Sequence, residues 1–447
     1  MLLIYPRRST RIEAITFVSK FEKLAKRNRQ TRTEYVIGFS ALLTGVFFFT
    51  GANAVLTTLV VLRASELGFS QTIIGFLTSC YFGGFIAGCL YGGKLVSRIG
   101  HIRTFAGLAG LATMCALLYP ILPVAAAWIV LRAVSGFSHS ILQMTIESWL
   151  TSSSTSETLS GFISSYRIID LLSVTLAQFA LILKDAGPFL LFSLIAISIV
   201  MSLTPIVFSK TTGPTNIAQT KPDLPRLIQI APMAAAGALI AGFVSAGFWG
   251  LSPVFLTSSD FNVDVVALFI SAVILGGAVV QWPIGKLSDK YDRRLVIIGG
   301  AAMGAVICLL MPFVAFSQAL VLILGAMFGG ALLPIYALAV SHASDHADTE
   351  EFVSVAGAVL LSFGAGAVLG PTVFSIMMSV LGTSALFPCM ALFLLGLVAF
   401  GFWCRRARDP LTSEEKDEFI NVTRSTPEVF EIDPRSGIDA ETEGTPA

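Results

Sequence analysis

Charged residues are scarce in this chain of 447 residues. Asp, Glu, Lys and Arg make up 13% of it, against about 25% in soluble domains. Apolar residues make up 55%, and the mean hydropathy is +0.80. A soluble globular fold is excluded because too few charged side chains are available to cover so much apolar surface. The net charge of +1 offers no basic excess for binding nucleic acid.

Motifs for catalysis and for metal binding are also missing. The chain has no Gly-x-x-x-x-Gly-Lys-Ser/Thr loop, no His-Glu-x-x-His pair and no Cys-x-x-Cys pair among its six cysteines. His342 and His346, with Asp345 and Asp348, form a weak metal pattern that we interpret as a solvated polar loop. We therefore expect no enzyme activity, no ATP-driven transport, no metal site and no cofactor.

Long apolar runs dominate the chain. A membrane-spanning helix needs about 20 such residues. Twelve runs qualify, and they predict an all-α membrane protein: 36–62, 71–92, 104–122, 124–150, 160–182, 187–208, 228–256, 264–284, 295–314, 317–341, 352–380 and 384–404.

The distribution of Lys and Arg predicts the orientation of these spans. If the N-terminus is cytoplasmic, 25 of the 29 basic residues lie on the cytoplasmic side, so both termini are expected there. The same pattern divides the chain into a basic leader (1–34), a six-helix half (35–208), a cytoplasmic linker (209–227), a second six-helix half (228–404) and a disordered tail (405–447).

A short charged motif follows the second span of each half. Its copies begin at Gly93 and Gly285, 192 residues apart. At the same offset Gly84 aligns with Gly276, and at an offset of 193 Gly136 aligns with Gly329. These matches predict a duplicated bundle, which is an organisation typical of transporters.

With these motifs the chain resembles the major facilitator superfamily. The resemblance implies twelve transmembrane helices in two pseudo-symmetric six-helix halves, and transport by alternating access. The motif residues that match the family's gating loops are Gly93, Arg98, Gly100 and Arg103 in the first copy, and Gly285, Asp289, Lys290, Arg293 and Arg294 in the second.

In the family, the glycines of this loop permit a tight turn, and the acid helps to hold the outward-open state. The resemblance implies that role for Asp289 but not for Ser97, which replaces the acid in the first copy. The alternative is that the motif only sets the topology through its basic charge.

Finer similarities to the family concern proton coupling and the direction of transport. Arg132 and Gly136 resemble the family's Arg-x-x-x-Gly element, which is linked to proton coupling. The Gly-x-x-x-Gly-Pro element that antiporters carry in the fifth span is found here in the eleventh, at 366–371, which weakens the case for a drug:proton antiporter. Glu147-Ser148-Trp149 is similar to the YcaD-type branch, which brings no known substrate.

Ionisable residues inside apolar spans are costly, so they usually face a cavity or a partner. Four lie in the first half, namely Arg132, Glu147, Arg167 and Asp170, and the second half has no comparable charge. We interpret them as a switchable network in which Glu147 or Asp170 takes a proton. A static pair that holds two helices together is the alternative. The second half is expected to offer a more apolar wall.

Other polar residues in the spans are weaker candidates. His139 lies two turns after Arg132 and could titrate near neutral pH, although a packing histidine is the more common case. The candidates for lining a central cavity, each of which could equally make a helix contact, are Gln143, Gln178, Gln281, Trp282 and Tyr336.

These observations predict a monomeric secondary active transporter in a bacterial cytoplasmic membrane. It would move a small organic solute by alternating access, coupled to protons. The alternative is a transporter-like receptor or a membrane assembly partner that moves nothing. Efflux and uptake both remain open.

Overall fold

The computed structural model describes residues 40–152, 156–208 and 221–407, together with Lys416 and Phe419. The predicted leader lies outside these residues, as do most of the predicted linker and most of the predicted tail. All regular structure in the described ranges is helical.

The helices are numbered here in chain order. They are α1 (Ser40–Glu66), α2 (Gln71–Ile99), α3 (His101–Ile121), α4 (Ala125–Ser152), α5 (Ser156–Ala177), α6 (Pro188–Phe208), α7 (Leu224–Ile230), α8 (Pro232–Ser258), α9 (Val263–Lys290), α10 (Arg293–Val314), α11 (Gln318–Leu332), α12 (Pro334–Ser344), α13 (Phe352–Leu381) and α14 (Leu386–Ala407). Two 3-10 segments, Gln178–Ala186 and Thr383–Ala385, follow α5 and α13.

Each of the twelve predicted spans coincides with a helix or a helix pair. Eleven segments of the described chain are long and apolar enough to cross a membrane, and α11 and α12 together supply one of them, Gln318–Ser344. The sixth predicted span is α6, which contains the shorter apolar run Phe189–Thr204. Helices suit these runs because every backbone polar group is satisfied within the segment. The prediction of an all-α membrane protein is confirmed.

Several helix boundaries differ from the prediction, including those at the tenth span, the linker and the tail. The tenth span divides at Leu333, where Pro334 begins a new helix. The end of the predicted linker is helical, because Asp223 accepts a hydrogen bond from the backbone N–H of Arg226 and so caps α7. The predicted tail begins three residues too early, since α14 continues to Ala407.

The charged motifs are helical for most of their length, which corrects the prediction of loops. Helix α2 continues to Ile99 and α9 to Lys290, so Gly93 and Gly285 are buried inside helices and do not make the turn. The turn between α2 and α3 is the single residue Gly100, whose φ of +92° favours glycine.

The repeated glycines lie at equivalent helix crossings in the two halves. A Cβ atom at Gly84 would overlap the carbonyl oxygen of Ala133, so α2 and α4 touch backbone to backbone. In the second half, a Cβ atom at Gly276 would meet the carbonyl oxygen of Ala326, which brings α9 equally close to α11. Gly136 and Gly329 make the reciprocal contacts. The duplication inferred from the sequence therefore has a structural counterpart.

The two halves touch each other at one end of the bundle. We call the end at which α2 and α9 finish the basic end, and the other the opposite end. Near the opposite end, Ser79 of α2 and Thr372 of α13 share a hydrogen bond of 2.7 Å between their hydroxyls. The backbone N–H of Thr372, which follows Pro371 in the helix, also donates to the Ser79 hydroxyl at 3.2 Å. The 3-10 segment after α5, in the first half, also packs against α9 of the second half.

Candidate functional site

A cavity of about 490 Å³ lies between the two halves. Its wall runs from Thr57 and Gln178, within the bundle, to Gly93, Lys94 and Lys221 at the basic end. Both Lys94 and Lys221 are exposed, so the cavity opens at the basic end, while the halves touch at the opposite end. This is the arrangement that one state of an alternating-access carrier requires.

The first half supplies the polar wall of this cavity. The polar side chains that line it within the bundle are Thr50, Asn53, Thr57, Tyr81, His139, Gln143, Asp170 and Gln178. Thr50, Asn53 and Thr57 are spaced three and four residues apart along α1, so they share one helix face. That spacing is visible in the sequence and could have identified this face, which our sequence reasoning missed.

The second half supplies an apolar wall, as the distribution of buried charge had indicated. Trp249 of α8 and Leu360, Leu361 and Phe363 of α13 face the cavity. Helix α13 can present such a surface because it carries no charged residue along its length. A ligand in this cavity would therefore meet hydrogen-bonding groups on one side and apolar groups on the other.

Asp170 borders this cavity and a second one. The second cavity, of about 200 Å³, shares Asp170, Val174 and Trp249 with the first. Arg167 lies in its wall, one helical turn before Asp170. The structure therefore brings the two predicted charges of α5 together at the boundary between the halves.

The wall of the second cavity also includes two of the predicted polar residues of the second half. Gln281 of α9 and Tyr336 of α12 both line it, and Tyr336 is buried. They face Arg167 and Asp170 across the gap between the halves. Their role in binding stays a prediction.

Glu147 is buried at 2% exposure in a small hydrogen-bonded network. The Tyr166 hydroxyl donates to Glu147 Oε1 at 3.0 Å and accepts from Gln143 Nε2 at 2.7 Å. Gln143 Nε2 also lies 3.3 Å from the same carboxylate oxygen. Because Gln143 lines the main cavity, the network links Glu147 to the cavity wall. Tyr166 was not among the predicted residues.

Arg132 lies behind the cavity wall and does not line it. Its guanidinium carbon is 4.4 Å from the centre of the Tyr81 ring, and the residue is 1% exposed. The Tyr81 hydroxyl in turn accepts a hydrogen bond from Asn53 Nδ2 at 3.1 Å. His139 does line the cavity, and its ring stacks on Phe49 at 4.8 Å. Arg132 can therefore influence a ligand through the Tyr81 ring that it contacts.

Trp282 lies on the outer surface of the bundle, which corrects its prediction as a cavity residue. It is 69% exposed, and the Lys286 ammonium lies 3.9 Å from its ring centre. Trp282 directly follows Gln281, and successive helix residues are about 100° apart, so only one of the pair faces the cavity.

The motif of the second half is built around buried ion pairs. Arg293 Nε lies 2.7 Å from Asp345 Oδ2, and these side chains are 1% and 2% exposed. Arg293 also lies 3.5 Å from Asp289, and Arg294 lies 3.1 Å from Asp292. One prediction is thereby corrected, because Asp345 belongs to an ion pair and not to a solvated loop. Arg293 and Asp345 lie just outside the predicted spans 295–314 and 317–341, so they do not contradict the prediction that the spans of the second half carry no comparable charge.

The motif of the first half is open by comparison. Arg98 and Arg103 are exposed, and neither forms a salt bridge within the described part of the chain. The Ser97 hydroxyl, which stands in the position of the acid, donates to the backbone carbonyl of Lys94 at 3.1 Å. Among the described residues, no group of His, Cys, Asp and Glu side chains could hold a metal ion.

Comparison with known proteins agrees with this geometry. A family model described as Major Facilitator Superfamily matches residues 234–432. A relative from Salmonella arizonae, named as the uncharacterized MFS-type transporter YcaD, is 26% identical over 361 residues, which cover 78% of this chain and 91% of that protein.

Two solved transporters have a similar fold. A bacterial homologue of the human lysosomal transporter Spinster, in an inward-facing and unoccupied conformation, has a TM-score of 0.71 and 13% identity, and the match covers 85% of this chain and 99% of that one. A variant of the nucleoside transporter NupG has a TM-score of 0.70 and 12% identity, with 82% and 99% covered.

These matches confirm the resemblance to the major facilitator superfamily, and the YcaD relatives agree with the branch that the sequence indicated. The fold is the major facilitator fold. Together they support an integral membrane protein that is similar to transporters.

Proposed function

We propose that this chain, which has the major facilitator fold, is a proton-coupled secondary active transporter of small amphipathic organic solutes. The observation that carries the proposal is the cavity between the halves, which is open at the basic end and closed at the opposite end. Its volume of about 490 Å³ falls within the ~300–1,000 Å³ typical of sites for drug-sized molecules.

The excess of Lys and Arg at the basic end supports a cytoplasmic location for that end. In that orientation both termini are cytoplasmic, the membrane is the cytoplasmic membrane of a bacterium, and the cavity is inward-facing. The working unit is a monomer, because one chain encloses the whole cavity.

The substrate class follows from the two unlike walls. A solute with a hydrogen-bonding edge could bind Asn53, Tyr81 and Gln143, while an apolar face packs on Trp249 and Phe363. A strongly charged or fully polar solute would leave the apolar wall without a partner.

Asp170 is the residue that we propose to couple transport to protons. It borders both cavities and lies one turn from Arg167, so its charge faces the region that must rearrange when the halves rock. A carboxylate at that depth is costly when charged, and binding a proton removes the cost. Glu147 is the second candidate, through its link to Gln143 and Tyr166.

The test uses purified protein in proteoliposomes, a panel of amphipathic solutes and a pH gradient imposed in either direction. Wild type is expected to move at least one solute, faster with one gradient, and the favoured gradient distinguishes efflux from uptake. Asp170→Asn should abolish the dependence on the gradient because the side chain can no longer ionise. The matched control is Asp264→Asn, an exposed acid in the first turn of α9.

Two outcomes would contradict the proposal. If Asp170→Asn keeps the full pH dependence, Asp170 does not couple protons. If a solute stabilises the protein against heat but crosses the membrane under neither gradient, the chain acts as a receptor or an assembly partner, which is the alternative function.

A further inference from the structure

Two residues that follow α14 in the chain contact the end of α9. The backbone N–H of Phe419 donates to Asp289 Oδ1 at 3.0 Å, and Lys416 Nζ donates to the carbonyl oxygen of Tyr291 at 2.8 Å. The ring of Phe419 packs against Gly285, where a Cβ atom would overlap the ring. Gly285, the Asp289 carboxylate and the Tyr291 carbonyl thus form a docking surface for Lys416 and Phe419.

The surface lies on the side of α9 that faces the gap between the halves. Ile274, Gly277, Ala278 and Gln281 line the second cavity, and at about 100° per residue they cover an arc of about 100°. Gly285 falls inside that arc, because it lies seven residues after Ala278 and four after Gln281. Phe419 therefore occupies the continuation of the cavity-facing side toward the basic end.

The basic end is open at the equivalent place in the first half. Gly93, the repeat partner of Gly285, lines the mouth of the main cavity with Lys94. When the basic end closes, these two faces must approach the other half, and glycines allow that approach to be close. The Phe419 ring occupies this side of Gly285, where such an approach would have to take place.

We propose that Lys416 and Phe419 form a wedge that holds the basic end open and must leave α9 before that end can close. Its relevance to transport rests on the proposed function, but its effect on conformation does not. In this proposal Asp289 has different partners in the open and closed states. In the present state it accepts from the Phe419 N–H and pairs with Arg293, and it becomes available to the other half only after the wedge has left.

The test measures the conformation of purified protein without substrate. Spin labels are placed at Ile102 on α3 and Leu295 on α10, two exposed positions at the basic end of the two halves, in a background without other cysteines. Pulsed electron paramagnetic resonance then gives the distance distribution between the labels. Wild type should show mainly the long distance of the open basic end.

Phe419→Ala should add a population at shorter distance and lower the ratio of open to closed molecules about fivefold, since the apolar contact with Gly285 is lost. Lys416→Ala should have a smaller effect in the same direction. The matched control is Phe316→Ala, which removes an 82% exposed ring between α10 and α11 and should leave the distribution unchanged.

An unchanged distribution in Phe419→Ala would overturn the wedge. Because no solute or gradient enters this measurement, that result would leave the proposed transport function intact. Conversely, a shifted distribution in a protein that moves no solute would support the wedge and contradict transport.

Discussion

Asp170 differs from the other buried charges in its access to the two cavities. Arg132 lies behind Tyr81, and Glu147 reaches the cavity through Gln143, whereas Asp170 borders both cavities directly. The sequence identified all of these residues because an ionisable group in an apolar run is conspicuous. It could not rank them, because their rank depends on how each helix is rotated about its axis.

The pair of Arg293 and Asp345 joins the charged motif to the end of α12, and its removal should be costly. Truncating one partner of a buried pair leaves an uncompensated charge, at a cost of about 3–5 kcal/mol. We therefore expect Arg293→Met to lower the free energy of unfolding by about that amount. The measurement is thermal or denaturant unfolding in detergent.

The double variant Arg293→Met with Asp345→Leu separates charge from shape. It removes both ions, so most of the lost stability should return even though the salt bridge is gone. If the double variant is as unstable as Arg293→Met alone, the loss comes from packing or from the other partners of Arg293, Asp289 and Ser288.

At the scale of elements, four glycines fix how the helices of each half cross. Gly84 and Gly136 bring α2 against α4, while Gly276 and Gly329 bring α9 against α11. Their matching offsets were visible in the sequence. The sequence did not show which helices they join, because a glycine indicates a close approach without identifying the neighbouring helix.

A comparison of Gly84→Ala with Gly107→Ala tests whether close packing at the α2–α4 crossing contributes to stability. A methyl group at Gly84 would overlap the backbone of Ala133, so the free energy of unfolding should fall by about 1–3 kcal/mol. Gly107 lies in α3 with no atom within 4 Å of such a methyl group, so the same change there should be neutral or stabilising. Equal losses of stability in both variants would contradict the role of the crossing.

The helix boundaries were also predicted only in part from the sequence. The hydropathy of the chain predicts where helices cross the membrane, because backbone groups in lipid must be satisfied internally. It does not predict that the charged motifs continue α2 and α9, since Gly93 and Gly285 resemble turn residues when considered alone. In the structure both glycines lie inside helices, with Gly93 at the cavity mouth and Gly285 against Phe419.

At the scale of the whole molecule, the contact of Ser79 with Thr372 closes the opposite end. Replacing both residues by cysteine should allow a disulfide, because their hydroxyl oxygens are 2.7 Å apart. Oxidation should then hold the basic end open and stop transport, and reduction should restore it. The Ser79→Cys single variant is the control and should respond to neither treatment. Transport at the full rate after complete crosslinking would show that the halves need not separate there.

The sequence by itself determined the membrane class, the twelve helical positions, the duplication and the asymmetry of charge inside the spans. These properties depend on composition and on periodicity along the chain, which each segment carries without reference to its neighbours. Only the tertiary structure decided which side of each helix faces the cavity, that Trp282 points outward, that Asp345 pairs with Arg293, and that Phe419 docks on Gly285. Those properties depend on helix rotation and on contacts between residues distant in sequence, which no local pattern encodes.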